Sequence, residues 1–366
     1  MGEGDPYAAA GVDYDVLDAL KRNALQAAQA TSGALAATGG RALDGSRGEP
    51  AFVFEFGGQA LAIVQECLGT KSVLARQVQD LTGENRFADV ASDAVSAIAN
   101  DLVSVGALPL VINAYFSVGS AAWYTPGRVA ALTQGWRRGC EAAGAAWGGG
   151  ESPALAGLVV PTEIELAGSG VGAVPAGHAP LLGDDLQPGD EIVLVASNGI
   201  HTNGLTLASK AARELPGGLA ATLPSGRELG SALLDPSFIY APLVRALLEG
   251  DVPVSYLAHI TGHGLRKLMR ANRELTYRIS ELPPVPEVLG FVAERLGLDA
   301  RSAYGTFNMG TGFAVFARPG AAEAVVSAAR ACGFGALAGG VVEDGPRQVV
   351  LEPVGLSFAG EELQLR

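Results

Sequence analysis

Several short stretches of this chain set acidic, basic and small residues where an apolar strand gives way to a turn. Glu66-Cys67-Leu68-Gly69-Thr70-Lys71 puts a carboxylate, a glycine turn and an ammonium within one loop. Such a loop can hold a metal ion and a phosphate together, although the GxxxxGK[ST] spacing of a P-loop is absent. The same residues also suit an ordinary strand-to-helix turn with a solvated lysine. Further on, Asp93 and Asn100 fall within about 20° of each other around a helix axis, with Asp101 about 80° further round. Mg²⁺ takes carboxylate oxygens and keeps several waters, so Asp93 or Asp101 with Glu66 or Glu151 forms a set able to anchor a metal–nucleotide complex. Acids facing solvent are the alternative.

Four more segments have the same character. Gly148-Gly149-Gly150-Glu151-Ser152 is a glycine turn followed by a carboxylate, open to backbone approach by a ligand or simply flexible. Ser197-Asn198-Gly199-Ile200-His201-Thr202-Asn203-Gly204 lies between a strand and a helix, where free N–H groups favour an anion. His259-Ile260-Thr261-Gly262-His263-Gly264 repeats that setting, and Tyr304 to Gly312 is a glycine-punctuated entry to a buried strand, read first as tight packing. Loops of this kind in both halves favour one shared cleft.

The elements that must position these residues are legible in outline. The chain has 366 residues, 48% hydrophobic and 17% charged, with 50 glycines, which excludes disorder as the main state. A net charge of −13 and no long Lys/Arg run argue against nucleic acid as a partner. That field also opposes a phosphorylated ligand, so a phosphate site needs local compensation from N–H groups, a few cations or Mg²⁺. Cys67, Cys140 and Cys332 show no CxxC and read as reduced thiols. The acidic N-terminus lacks signal-peptide features, which gives a cytoplasmic expectation. Leu102 to Trp123 carries no charge, but Gly106, Pro109 and Asn113 make it a helix end, a turn and a buried strand, not a membrane span.

Apolar spacing predicts helices over 15–30 and about 88–104, a hairpin of 52–56 and 60–64 around Gly57-Gly58, and a strand at 110–118. Thr125-Pro126 predicts a helix start, with the helix running to about Gly144, and a strand follows at 162–174. Beyond the turn-rich stretch 175–190, strands near 191–196, 253–258, 276–280, 306–317 and 347–353 alternate with helices near 203–213, 237–249, 262–271, 286–296 and 320–332. The fold class is therefore α/β with mixed sheets, in two domains, 1–175 and 176–366.

In order along the chain, Gly11-Val12-Asp13, Glu66–Lys71, Asn100-Asp101-Leu102, Gly149-Gly150-Glu151, Ser197–Gly204, His259-Ile260-Thr261-Gly262 and Thr306-Phe307-Asn308 resemble the aminoimidazole ribonucleotide synthetase (phosphoribosylformylglycinamidine cyclo-ligase) family. The resemblance implies an ATP-dependent ring closure in purine biosynthesis, and a homodimer whose first domains pair their sheets. It implies Glu66, Asp93, Asp101 and Glu151 as Mg²⁺ ligands, with Gly69, Thr70, Lys71, Asn100, Gly149 and Gly150 beside the ATP. It also implies Ser197, His201, Asn203, Gly204, Thr261 and Asn308 on the ribonucleotide, with His201 and Lys71 taking part in the chemistry. The chain departs from the family pattern at Glu66-Cys67, where Asp-Gly is usual, at Ala114 for an Asp, at Ser152–Ala156, which lacks a second Glu, and at His263 for a glycine. These departures keep two other readings open: a small-molecule kinase resembling thiamine-monophosphate kinase, and a nucleotide-binding scaffold without turnover.

Overall fold

The computed structural model describes residues 14–363, so the Gly11-Val12-Asp13 motif lies outside the described residues. Two mixed sheets organise the molecule. The first runs β1-β2-β3-β6-β4-β5, with β1 Gly40–Ala42, β2 Phe52–Phe56, β3 Gln59–Cys67, β4 Leu108–Val118, β5 Ala146–Glu151 and β6 Ile164–Ala173. Within this sheet β4 and β5 pair in parallel and the other described neighbours are antiparallel. The second runs β13-β12-β9-β11-β7-β10-β8, with β7 Glu191–Ala196, β8 Val254–His259, β9 Leu275–Ile279, β10 Thr311–Ala317, β11 Ala336–Asp344, β12 Gln348–Leu351 and β13 Leu356–Ala359.

The local reasons are readable at several points. Gly57 and Gly58 both take positive φ at the tip of the β2–β3 hairpin, a conformation that residues with a Cβ resist. Thr125 caps the helix Pro126–Ala143 by accepting from the Arg128 N–H, and Gly144 ends it in the left-handed conformation. The helix Phe87–Val103 lies under the first sheet and is almost wholly buried, its Ala and Ser residues allowing close approach. Gly135 and Gly139 let the helix Pro126–Ala143 press against it: a methyl at Gly135 would run into the Ala88 carbonyl, and one at Gly139 would sit 2.8 Å from Val95 Cβ. Gly168 and Gly170 of β6 serve the same purpose for Ile98 on the sheet side.

Three expectations need correction. The glycine turn at 148–150 is instead β5, running beside β4. Glycine is a poor strand former, but a side chain at Gly150 would strike the Ala114 carbonyl, so the close parallel approach selects for it. Residues 306–310 are not strand: the helix Ala300–Thr306 ends there and the chain turns through Met309 and Gly310, both at positive φ. The segment 262–271 forms a 3-10 turn, Gly264–Met269, not a full helix. Among the described residues no helix is long and apolar enough to cross a membrane.

Packing of the two glycines makes a direct stability test. We expect Gly135→Ala to lower the free energy of unfolding by about 1–3 kcal/mol through overpacking. Gly127→Ala, at the second position of the same helix with open space around it, should be neutral or slightly stabilising. Urea denaturation of both variants decides; equal midpoints would show that the helix pair is not tightly apposed.

Candidate functional site

A cavity of about 410 Å³ opens where the two sheets' helices and loops meet. The first half supplies Glu66, from the end of β3, and Asp101, from the last turn of the helix Phe87–Val103. The second half supplies His259 at the end of β8, Thr261 just beyond it, and Lys267 and Arg270 from the turn that follows. Asn203 closes the rim. An acidic wall thus faces a basic one across the seam.

The carboxyl groups are the chemical centre. His259 Nδ1 lies 2.8 Å from Asp101 Oδ1, and Asp101 and Glu66 share a hydrogen bond between their carboxyl groups. Burial first, and then the neighbouring negative charge of Asp101, push the Glu66 carboxyl up to about 8. Burial acts on Asp101 in the same direction, yet the His259 hydrogen bond and the charges of His259, Arg270 and Lys267 hold it below the ordinary carboxylate range. At neutral pH the pair therefore keeps one proton, on Glu66, with Asp101 ionised. Among the described residues no cluster of three or more His, Cys, Asp or Glu forms a ready metal cage. Two adjoining carboxyls beside a cationic wall fit instead a cation that arrives with phosphates and keeps its own waters, as Mg²⁺ does.

The structure brings Glu66, Asp101, Asn203 and Thr261 to this cavity, and takes others of the expected set elsewhere. Lys71 and Asp93 are fully buried and paired with each other at 2.5 Å, so neither faces the cavity. Burial raises the Asp93 carboxyl against the opposing pull of Lys71 and of the Ser237 N–H. Asn100 spans the seam, donating to Phe238 O at 2.9 Å and accepting from Tyr240 N at 2.8 Å. Ser197 donates to Asn308 Oδ1, while the Asn308 amide holds the Gly199 carbonyl, so these two fasten their loops to each other. Gly204 caps the helix Leu205–Glu214 at positive φ, where Phe307 leaves no room for a side chain. Gly69 precedes the helix Thr70–Thr82, with its N–H taken by Glu165, and Thr70 is exposed. Glu151 sits on the edge strand: Glu66, Gly168, Ala114 and Gly150 stand in register across four strands, which puts the far end roughly 14 Å away. Of the four acids expected around a metal, two meet.

His201 is 4% exposed and strained at φ 60°. Asn198 donates its amide to Pro236 O, so its Oδ1 faces His201 Nε2 at 2.9 Å and fixes the proton on that nitrogen. His201 Nδ1 is left as a buried lone pair without a partner. Burial, then the charges of His259 and Lys71, lower this imidazole to about 3. His259, although its loop was singled out, was given no role of its own, and Lys267 and Arg270 escaped the motif reading. Their signal was present as Arg266-Lys267 and Arg270 just after the His259 loop, in a chain with few cations. His263 also lines the cavity, and it holds φ 72°, a conformation in which a glycine would be relaxed.

The raised Glu66 carboxyl makes stability depend on pH. Between its unfolded value near 4.5 and its folded value near 8 the native state binds the extra proton, so stability falls as pH rises through that window and levels off above it. We expect Glu66→Gln to flatten this decline, read as urea midpoints at pH 5.5, 7 and 8.5. Parallel curves for the two proteins would remove the shared proton from the site.

Comparison with known proteins places this architecture. The AIR synthase related protein N-terminal domain model matches residues 48–174, and the C-terminal domain model matches residues 187–352. A phosphoribosylformylglycinamidine cyclo-ligase of Anaeromyxobacter sp. is 37% identical over 74% of this chain and 78% of its own length. One of Methanothermobacter thermautotrophicus is 32% identical over 74% and 77%. Among solved structures, the hydrogenase maturation protein HypE superposes with a TM-score of 0.60 at 19% identity, covering 83% of this chain and 91% of that one. Thiamine-monophosphate kinase from Stenotrophomonas maltophilia gives 0.57 at 18%, covering 82% and 88%. These structures share the fold. With both domain models matched in order, and relatives above 30% identity over most of its length, the chain belongs to the aminoimidazole ribonucleotide synthetase (phosphoribosylformylglycinamidine cyclo-ligase) family of ATP-dependent ligases.

Proposed function

We propose that this protein is a cytoplasmic cyclo-ligase that converts formylglycinamidine ribonucleotide to aminoimidazole ribonucleotide in de novo purine biosynthesis, with release of ADP and phosphate. The observation that carries the reading is the Glu66–Asp101–His259 constellation facing Lys267 and Arg270 across one cavity. Opposed signs of charge on one cavity suit a metal-bearing polyphosphate better than either ion alone.

In this reading Asp101 and Glu66 would hold Mg²⁺, Glu66 releasing its proton as the cation enters, and the bound cation would neutralise phosphate charge. His259 keeps Asp101 ionised and oriented. Lys267 and Arg270 draw the phosphate oxygens to the opposite wall, and Asn203 and Thr261 hydrogen-bond the ribonucleotide. An amide-type oxygen is a poor leaving group, so phosphoryl transfer to the formyl oxygen makes it expellable, and the amidine nitrogen then closes the imidazole ring. Positioning and charge neutralisation carry most of such a transfer, which fits a site without a covalent nucleophile. His201, near pKa 3, is too weak a base to hold a proton, and we assign its bare Nδ1 to hydrogen bonding. We further propose a homodimer through the outer face of the first sheet. Phe52, Ile63, Val171 and Val111 stand in one register row there, none of them buried.

Purified protein with Mg²⁺, ATP and formylglycinamidine ribonucleotide should release ADP and form aminoimidazole ribonucleotide, and Asp101→Asn should reduce kcat by at least 100-fold while leaving the circular dichroism spectrum unchanged. ADP release only with thiamine monophosphate, or ATP bound with no turnover, would overturn the cyclo-ligase reading. For assembly, sedimentation equilibrium should give a dimer that Ile63→Glu with Val111→Glu converts to monomer. A wild-type monomer at micromolar concentration would reject it.

A further inference from the structure

Lys71 presents a complete accounting of donors. An ammonium has three N–H groups. Lys71 Nζ donates to the His201 carbonyl, 3.0 Å away, and to the Asp235 carbonyl, 3.0 Å away, and stands 2.5 Å from Asp93 Oδ2 in an ion pair. Its own side chain is 0% exposed, as is that of Asp93. Enclosed by these three oxygens, the ammonium is turned away from any phosphate in the cavity. Asp93 is equally occupied, since its other oxygen takes the Ser237 N–H at 2.6 Å. Lys71 and Asp93 belong to first-half helices, whereas His201, Asp235 and Ser237 belong to second-half loops.

What these bonds hold is as informative as the bonds themselves. The His201 carbonyl belongs to a residue at φ 60°, a conformation that costs free energy unless surroundings fix it. Thr202 and Asn203, the next two residues, line the cavity. Asn198, three residues earlier, is tied to Pro236, which lies between the Lys71-bound Asp235 and the Asp93-bound Ser237. One buried ion pair therefore grips both second-half loops behind the rim.

We propose that Lys71 and Asp93 are positioning residues, a latch across the seam that sets the Thr202–Asn203 rim by holding the His201 carbonyl and the Asp235–Ser237 segment, without contacting the nucleotide. The proposal gives these two residues a role distinct from phosphate or metal binding, and its kinetic consequence rests on the cyclo-ligase reading. An unpaired buried charge is severely destabilising, so the test is the paired replacement Lys71→Met with Asp93→Leu, which removes both charges together.

Amide hydrogen exchange needs no substrate and is read first. In the double variant, exchange at residues 198–204 and 235–240 should accelerate at least tenfold while β7 and β10 keep their protection. Unchanged exchange in those loops would overturn the latch. Mg²⁺·ATP affinity, measured by calorimetry, should stay within twofold of the wild type; a tenfold loss with the sheet protection intact would make the pair nucleotide ligands and overturn the proposal. If the wild type is active, the KM for the ribonucleotide should rise at least tenfold with the KM for ATP unchanged, and an unaltered ribonucleotide KM counts against the latch. A wild type inactive on that substrate sinks the cyclo-ligase reading alone, because exchange still decides the latch.

Discussion

One side of one helix carries the polar residues on which the relation between the two halves depends. In the helix Phe87–Val103, Asp93, Asn100 and Asp101 interrupt an otherwise apolar and small-residue surface. Each meets a group of the other half: Asp93 the Ser237 N–H, Asn100 the backbone of Phe238 and Tyr240, and Asp101 the His259 ring. Buried polar groups are costly when unpaired, so these contacts do more than attract. They penalise every other docking of the halves, which a purely apolar seam would not. The same helix thus supplies both the fastening between the halves and, one residue after Asn100, the carboxylate that faces the cavity.

Charge at the cavity follows from that docking. The chain carries 38 acidic against 25 basic residues, and a phosphate would meet an unfavourable field over most of its surface. Lys267 and Arg270 offset it locally, Arg270 while also pairing with Glu49 at 3.7 Å. They also lower the proton affinity of the carboxyls opposite, so that Asp101 stays ionised although buried, while the proton it would otherwise take resides on Glu66. The Glu66 carboxyl stands in hydrogen-bond contact with Asp101.

The architecture was largely legible because apolar periodicity and turn chemistry agree with it: the Gly57-Gly58 hairpin, the Thr125-Pro126 cap and the Gly144 stop are local signals, and the fold respects them. The strand β5 was not legible, since its glycines read as a turn until the backbone of β4 beside it shows why no side chain fits. For the site, spacing along the chain picked out candidate polar residues without saying whether they face solvent, a ligand or another part of the protein. Asp93 and Asp101 differ by eight positions and look alike in sequence. Only the seam shows that one is spent on Lys71 and the other opens on the cavity. Lys267 and Arg270 were hidden for the opposite reason, because a 3-10 turn places them by its tight geometry and leaves no periodic pattern.

The Pro236–Asn198–His201 chain has one more consequence. With the Asn198 amide fixed by a carbonyl, the imidazole cannot flip or exchange tautomers without breaking two hydrogen bonds in sequence. Its lone pair keeps a constant direction, and its charge state is indifferent to any change of acidity a cell experiences. Whatever pH sensitivity the protein displays between mild acid and mild base must then originate in groups other than this ring, and His201 acts as a fixed neutral dipole in the interior.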